Sequence, residues 1–195
     1  IEKLLNIKFS KKNLLITFHP ETNSSNKQTI IPMLEALGKL NETNFFFTIP
    51  NADTYNLRIL KEIRNFKKNN KNCEVFNSLG IKMYHSLIKI CDAVIGNSSS
   101  GISEVPYFKK PSINIGNRQD GRIRVRSIID IEMRKKDINK AIKKVYSKKF
   151  LSKLTSVKSP YGNGGASKRI LKHLKKLKKT DFKKIKYKKF FDLNN

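Results

Sequence analysis

From Leu14 onward, short runs of apolar, β-prone residues alternate with longer stretches in which apolar positions recur every three or four residues. The short runs read as buried strands and the longer stretches as helices with one wet face. Their alternation, strand first in each unit, is the signature of a parallel α/β sheet. Strands are expected over residues 14–17, 45–49, 74–76, 93–95 and 112–115, with a sixth over 127–131. Helices are expected over 27–40, 54–68, 81–90 and 103–108, then over 136–149 and 167–179. In the first helix, Ile30, Leu34, Leu37 and Leu40 make one stripe that faces the sheet, while Lys39 and Glu42 stay in water. In the last, Ile170, Leu171, Leu174 and Leu177 share a side opposite the lysines. No repeat of solenoid period and no long low-complexity linker interrupts the scheme.

Length and composition narrow this to one globular domain. A chain of 195 residues, 38% hydrophobic and 9% aromatic, can bury a real core once but hardly twice. The expected division is a domain over 1–179 followed by a basic tail over 180–195. There Phe182, Ile185, Tyr187, Phe190 and Phe191 punctuate the lysines, and the tail is expected to lie, solvated, against another part of a longer protein. The chain opens on Ile1 without the charged, apolar and small-residue sequence of a secretory leader, so its start is read as a boundary within that longer protein. Lys, Asn or Asp interrupts every apolar run well short of the roughly 20 residues a membrane helix requires, and no membrane partner is expected. Cys73 and Cys91 stand in neither Cys-x-x-Cys nor metal-ligand spacing, so no metal site is expected; they read as buried thiols in a reducing cytoplasm.

The net charge of +27 raises a rival class, a basic module that grips RNA through its phosphates. The excess is mostly lysine, spread along the chain among many Asn and Ile residues, with neither an aromatic-interleaved platform nor a helix-turn-helix signal. Nucleic acid is therefore not the expected partner.

Candidate chemistry sits at the ends of strands. Ala93-Val94-Ile95 runs into Gly96-Asn97-Ser98-Ser99-Ser100-Gly101 and then into a helix. Gly96 and Gly101 permit a tight backbone and close ligand approach, three hydroxyls can donate, and the free N–H groups at a helix start favour an anion such as phosphate. An ordinary capped turn, in which the serines only satisfy the helix N-terminus, fits the same residues. Glu104, one turn on, favours the ligand reading, since a carboxylate there can accept the ribose hydroxyls of a nucleotide lying over the turn. The next strand releases Arg118 at its carboxyl end, where it can form a bidentate pair with a diphosphate; Arg122 is either a helper or a surface charge. His19 follows the first strand in Thr17-Phe18-His19-Pro20, where it can hold or protonate a leaving diphosphate. Asn51, after the second strand, is a weaker candidate, and His85 and His173 read as structural or exposed.

These segments, in this order, resemble the hydrolysing UDP-N-acetylglucosamine 2-epimerases, particularly the branch feeding sialic- and legionaminic-acid synthesis. The resemblance rests on Thr17-Phe18-His19-Pro20, on Pro50-Asn51, on residues 96–101 with Glu104, and on Asn114-Ile115-Gly116-Asn117-Arg118-Gln119-Asp120-Gly121-Arg122. Tyr161-Gly162-Asn163-Gly164 before Arg169-Ile170-Leu171 completes it, over roughly residues 14–178. It implies a Rossmann-like parallel sheet flanked by helices, the C-terminal, UDP-binding half of a two-domain GT-B fold. It also implies that Ser98 and Ser99 bind the diphosphate, Arg118 a phosphate oxygen and Glu104 the ribose. The Leu79 backbone would face uracil, His19 the leaving diphosphate, and Asn51 the nucleotide-sugar pocket. The implied reaction eliminates UDP across C1–C2 of the sugar and then hydrates the glycal with inversion at C2, releasing N-acetylmannosamine, with no metal or nicotinamide cofactor. The implied acid/base carboxylates belong to the N-terminal half, so this chain alone is expected to bind UDP and turn over nothing; a homodimer is a further implied partner. A UDP-diacetamido sugar as substrate, a GT-B glycosyltransferase and the basic RNA-binding module are the alternatives.

Overall fold

The computed structural model describes residues 1–21, 29–178, 181, 182, 184, 186 and 187. The chain divides into two compact units, Ile1–Tyr161 and Gly162–Asn195.

The first unit is built on six parallel strands: β1 (Lys12–Thr17), β2 (Thr43–Thr48), β3 (Cys73–Phe76), β4 (Ala93–Gly96), β5 (Ser112–Ile115) and β6 (Ile128–Ile131). Their order across the sheet is β3-β2-β1-β4-β5-β6. In chain order the helices are α1 (Glu2–Leu5), α2 (Ile31–Leu37), α3 (Asn56–Asn69), α4 (Gly80–Ile90), α5 (Ser100–Ser103), α6 (Lys135–Val145) and α7 (Lys148–Leu151). Alternate strand residues point to opposite faces, and both faces are covered. Leu14, Ile16, Phe45, Phe47 and Ile95 pack with α2, α3 and α6 through Met33, Leu37, Ile63, Ile138 and Ile142. Leu15, Phe46 and Val94 pack on the other side with Leu87 and Ile88 of α4 and with Val105. Burial on both faces is why the strands read as continuous apolar runs.

Three helices differ from the sequence expectation. Described residues of the first stop at Gly38, which caps α2, with Pro32 in its first turn; residues 27 and 28 lie outside the described residues. The single helix expected over 136–149 is two, because Ser147 turns extended and its hydroxyl accepts from the Phe150 N–H, starting α7 afresh. The helix expected over 103–108 is instead α5 followed by a 3-10 turn, Val105–Phe108. Pro106 explains the change: it lacks an N–H and restricts the residue before it, so a regular α-helix cannot pass through.

In the second unit, α8 (Ala166–Leu174) forms where a helix was expected, with none of its residues buried. Ile185, Phe190 and Phe191 of the expected tail lie outside the described residues. Among the described residues no helix is long and apolar enough to cross a membrane. Cys73 and Cys91 are buried free thiols, and burial pushes the pKa of each up to about 12.

Candidate nucleotide site at the sheet switch point

The chain leaves β1 for one side of the sheet and β4 for the other, so the topological switch point lies between these two neighbours. In open α/β sheets ligands settle in the crevice outside the strand carboxyl ends at that point. His19 follows β1 there, and Asn97 and Ser98 follow β4. Gly96 makes the approach possible: a Cβ on it would lie 1.9 Å from the Thr17 carbonyl oxygen, and its φ is +145°. Gly101 would likewise meet the Ser112 hydroxyl at 2.7 Å. Both glycines thus admit neighbouring protein groups, and the close approach read from the sequence as room for a ligand is room for the chain itself.

Asn97, fully buried, ties three strand ends together. Its Oδ1 accepts from the His19 N–H at 2.7 Å and its Nδ2 donates to the His19 carbonyl at 2.8 Å. Its own carbonyl accepts from Gln119 Nε2 at 2.8 Å and from Arg118 at 3.3 Å. The His19 ring is fixed in turn by the Asn51 backbone, whose N–H donates to Nδ1 at 3.1 Å. An accepting Nδ1 leaves the ring proton of neutral imidazole on Nε2. Burial lowers the His19 pKa, the neighbouring Arg118 lowers it further, and Asp53 opposes the shift. His19 is therefore a neutral Nε2–H donor beside a guanidinium. Asn51 reaches it through the main chain.

In the serine turn, Ser98 Oγ accepts from the Ser100 hydroxyl at 3.1 Å and from the Ser100 N–H at 3.4 Å. Among the described residues the N–H groups of Ser98 and Ser99 have no acceptor. Because α5 has only four residues, its dipole is slight, and an anion here would depend on these amides and hydroxyls directly. Glu104 pairs with His85, Oε2 to Nε2 at 2.5 Å. A cavity of about 360 Å³ gathers His19, Asn51, Leu79 and Glu104 with Tyr84 and His85. Ser98, Ser99 and Arg118 adjoin that group through Asn97 and the chain itself, without lining the cavity. A larger hollow of about 790 Å³ lies beyond β5 and β6 and takes in Arg122. Among its lining residues Arg124 pairs with Asp130 and Arg134 with Asp137.

The sequence profile of the UDP-N-acetylglucosamine 2-epimerase family matches residues 1–175. The chain belongs to that family. Among curated relatives it is 43% identical over 196 residues to the GDP/UDP-N,N'-diacetylbacillosamine 2-epimerase (hydrolyzing) of Campylobacter jejuni, covering 99% of this chain and 50% of that protein. It is 36% identical to the polysialic acid biosynthesis protein P7 of Escherichia coli, covering 94% and 47%. The chain thus spans about half the length of the curated relatives it matches. A crystal structure of the Neisseria meningitidis UDP-GlcNAc 2-epimerase bound to UDP-GlcNAc superposes with a TM-score of 0.67 at 19% identity, over 90% of this chain and 47% of that one. The fold is that of a GT-B epimerase domain.

In this 2-epimerase-family chain, several residues at the site have supporting roles that the linear sequence does not assign. In the sequence Asn97 is one member of the turn and Gln119 a neighbour of Arg118. His85 sits within a helical pattern and read as structural; it is the partner of Glu104. Tyr84, Thr17 and Thr48 are hydroxyl-bearing residues inside elements, indistinguishable by pattern from packing positions. His85 and Glu104 are 19 residues apart, so only the packing of α4 against the α5 turn brings them together.

Proposed function

We propose that this chain is the UDP-binding half of a hydrolysing UDP-sugar 2-epimerase, the other half supplying the acid/base carboxylates. The observation that carries this reading is the convergence of His19, the serine turn and Arg118 on Asn97 at the switch point of a chain in this family. Ser98 and Ser99 offer hydroxyls and free amides to the diphosphate, and Arg118 offers a guanidinium to a phosphate oxygen. Glu104 takes the ribose, and the Leu79 backbone at the start of α4 borders the base. His19, neutral with its proton on Nε2, donates to the leaving diphosphate and so stabilises the charge that develops as the C1–O bond breaks. UDP leaves by elimination across C1–C2, and water then adds to the glycal with inversion at C2. UDP-N-acetylglucosamine, giving N-acetylmannosamine, is the first reading of the substrate. A UDP-diacetamido sugar is the second, favoured by the 43% identity to a relative named for diacetylbacillosamine.

Calorimetric titration with UDP tests the site. Wild type should bind, and Arg118→Ala and Ser98→Ala should each weaken binding, the arginine by roughly 10-fold to 100-fold as befits a charge-assisted hydrogen bond. An RNA oligomer should not compete. A folded chain that ignores UDP and binds RNA would support the basic-module reading instead.

A further inference from the structure

Five hydroxyls form a continuous file beneath the serine turn. Thr48 Oγ1, at the end of β2, donates to Thr17 Oγ1, at the end of β1, at 3.1 Å. Thr17 Oγ1 lies 3.3 Å from the Tyr84 hydroxyl, which lies 2.6 Å from Ser100 Oγ. Ser100 Oγ donates to Ser98 Oγ at 3.1 Å. Each hydroxyl owns one proton and can donate it once, so the two ends set the direction of the middle. The Ser100 proton is committed to Ser98; Ser100 must therefore accept from Tyr84, and Tyr84 must accept from Thr17. The file runs Thr48 to Thr17 to Tyr84 to Ser100 to Ser98, and it leaves one proton unassigned, that of Ser98 at the open end. Burial raises the Tyr84 pKa, which keeps the phenol protonated as the file requires. Hydrogen bonds in series polarise one another, so each upstream donor makes the terminal hydroxyl a better donor to an anion.

We propose that Tyr84 is a positioning residue for the diphosphate subsite: it orients the hydroxyl file so that Ser98 presents its free proton outward, to a phosphoryl oxygen. This rests on the nucleotide reading above and adds to it a residue that acts on the diphosphate through Ser100 and Ser98. Three elements meet at the phenol oxygen, β1, α4 and the α5 turn, and β2 joins the file one link away through Thr48 and Thr17. The file therefore also couples the conformation of the turn to the strand ends that carry His19 and Asn51.

Tyr84→Phe keeps the ring and removes only the oxygen. The test is a double-mutant cycle of Tyr84→Phe with Ser98→Ala, read as UDP and uridine affinity by calorimetry on the 195-residue chain, with thermal melts to establish folding. Tyr84→Phe should lower UDP affinity roughly threefold to tenfold and leave uridine affinity unchanged, because uridine has no phosphate for Ser98 to meet. In the Ser98→Ala background the same substitution should cost nothing further, since the outlet of the file is gone. Additive losses of UDP affinity, or equal losses for UDP and uridine, overturn the proposal and mark Tyr84 as packing alone. If Tyr84→Phe does not fold, Thr17→Val interrupts the file one link upstream and the same cycle is read with it. A folded wild type that binds no UDP overturns the nucleotide reading and this inference together; UDP binding with an additive cycle overturns the inference alone.

Discussion

Asn97 commits its side-chain amide to both backbone groups of His19 and its carbonyl to Gln119 and Arg118. His19 is thereby held in a buried place where protonation is disfavoured, and a consequence for stability follows. Its folded pKa lies below the ordinary value of about 6.5. Above that value both folded and unfolded chains hold it neutral; as the pH falls, the unfolded chain takes up the proton first, so stability is lost from about pH 6.5 downward until the folded pKa is passed. Denaturant midpoints measured from pH 7.5 to 5 should therefore fall more steeply for wild type than for His19→Asn, which has no titratable group at this position. Parallel curves would show that His19 is not buried neutral. The pairing of His85 with Glu104 carries a second expectation. Both side chains are more than a third exposed, 36% and 41%, so the pair is weak in stability terms. Its effect belongs to the orientation of Glu104. His85→Ala should weaken UDP and uridine alike, by roughly twofold to fivefold, whereas a change confined to UDP would detach Glu104 from the ribose.

At the level of elements, the strand ends are set by close backbone contacts that few residues permit. Gly96 combines a positive φ with contact against the Thr17 carbonyl, so Gly96→Ala must push β4 and β1 apart where their hydrogen bonding ends. We expect a destabilisation of about 3 kcal/mol or more, read as a lower denaturant midpoint, together with loss of UDP binding. Near-native stability would mean that the crossing of these strands is more pliable than the geometry describes. Most of the elements themselves were readable from the sequence. Each of the six strands lies where an apolar run announced it, because strands buried on both faces leave an unbroken hydrophobic trace. Helix ends were less readable. Whether Ser147 caps a new helix or rides within an old one depends on whether its hydroxyl finds the Phe150 N–H, a choice that the local pattern leaves open. Pro106 lies inside the stretch expected as a helix over 103–108, and the 3-10 turn after α5 is its direct result.

For the whole molecule, the charge of +27 shapes what the protein meets without defining what it recognises. UDP is held in this reading by a few local donors and one guanidinium, whereas RNA would be held by many diffuse phosphate contacts. Raising salt from 50 to 200 mM should therefore weaken UDP binding by less than about tenfold, while any RNA binding should fall by roughly a thousandfold or more. Fluorescence anisotropy with a labelled RNA beside UDP calorimetry separates the two. RNA binding that survives the salt and displaces UDP would remove the ground for calling the site a nucleotide pocket.

By itself the sequence determined the class of fold and singled out the candidate site residues. The alternation of apolar runs and helical periods points to a layered α/β sheet, and the candidate chemistry at His19, Ser98, Glu104 and Arg118 follows strand ends in the chain. The order of strands was decided by the tertiary structure, because parallel pairing joins residues far apart in the chain and apolar runs of similar composition do not name their neighbours. Only that order makes β1 and β4 adjacent and places His19 beside Asn97, 78 residues away. The supporting hydrogen bonds of Asn97, Tyr84 and His85 follow from it. A hydrogen bond needs its two atoms within about 3 Å, and that proximity is a property of the packed chain that neither residue carries alone.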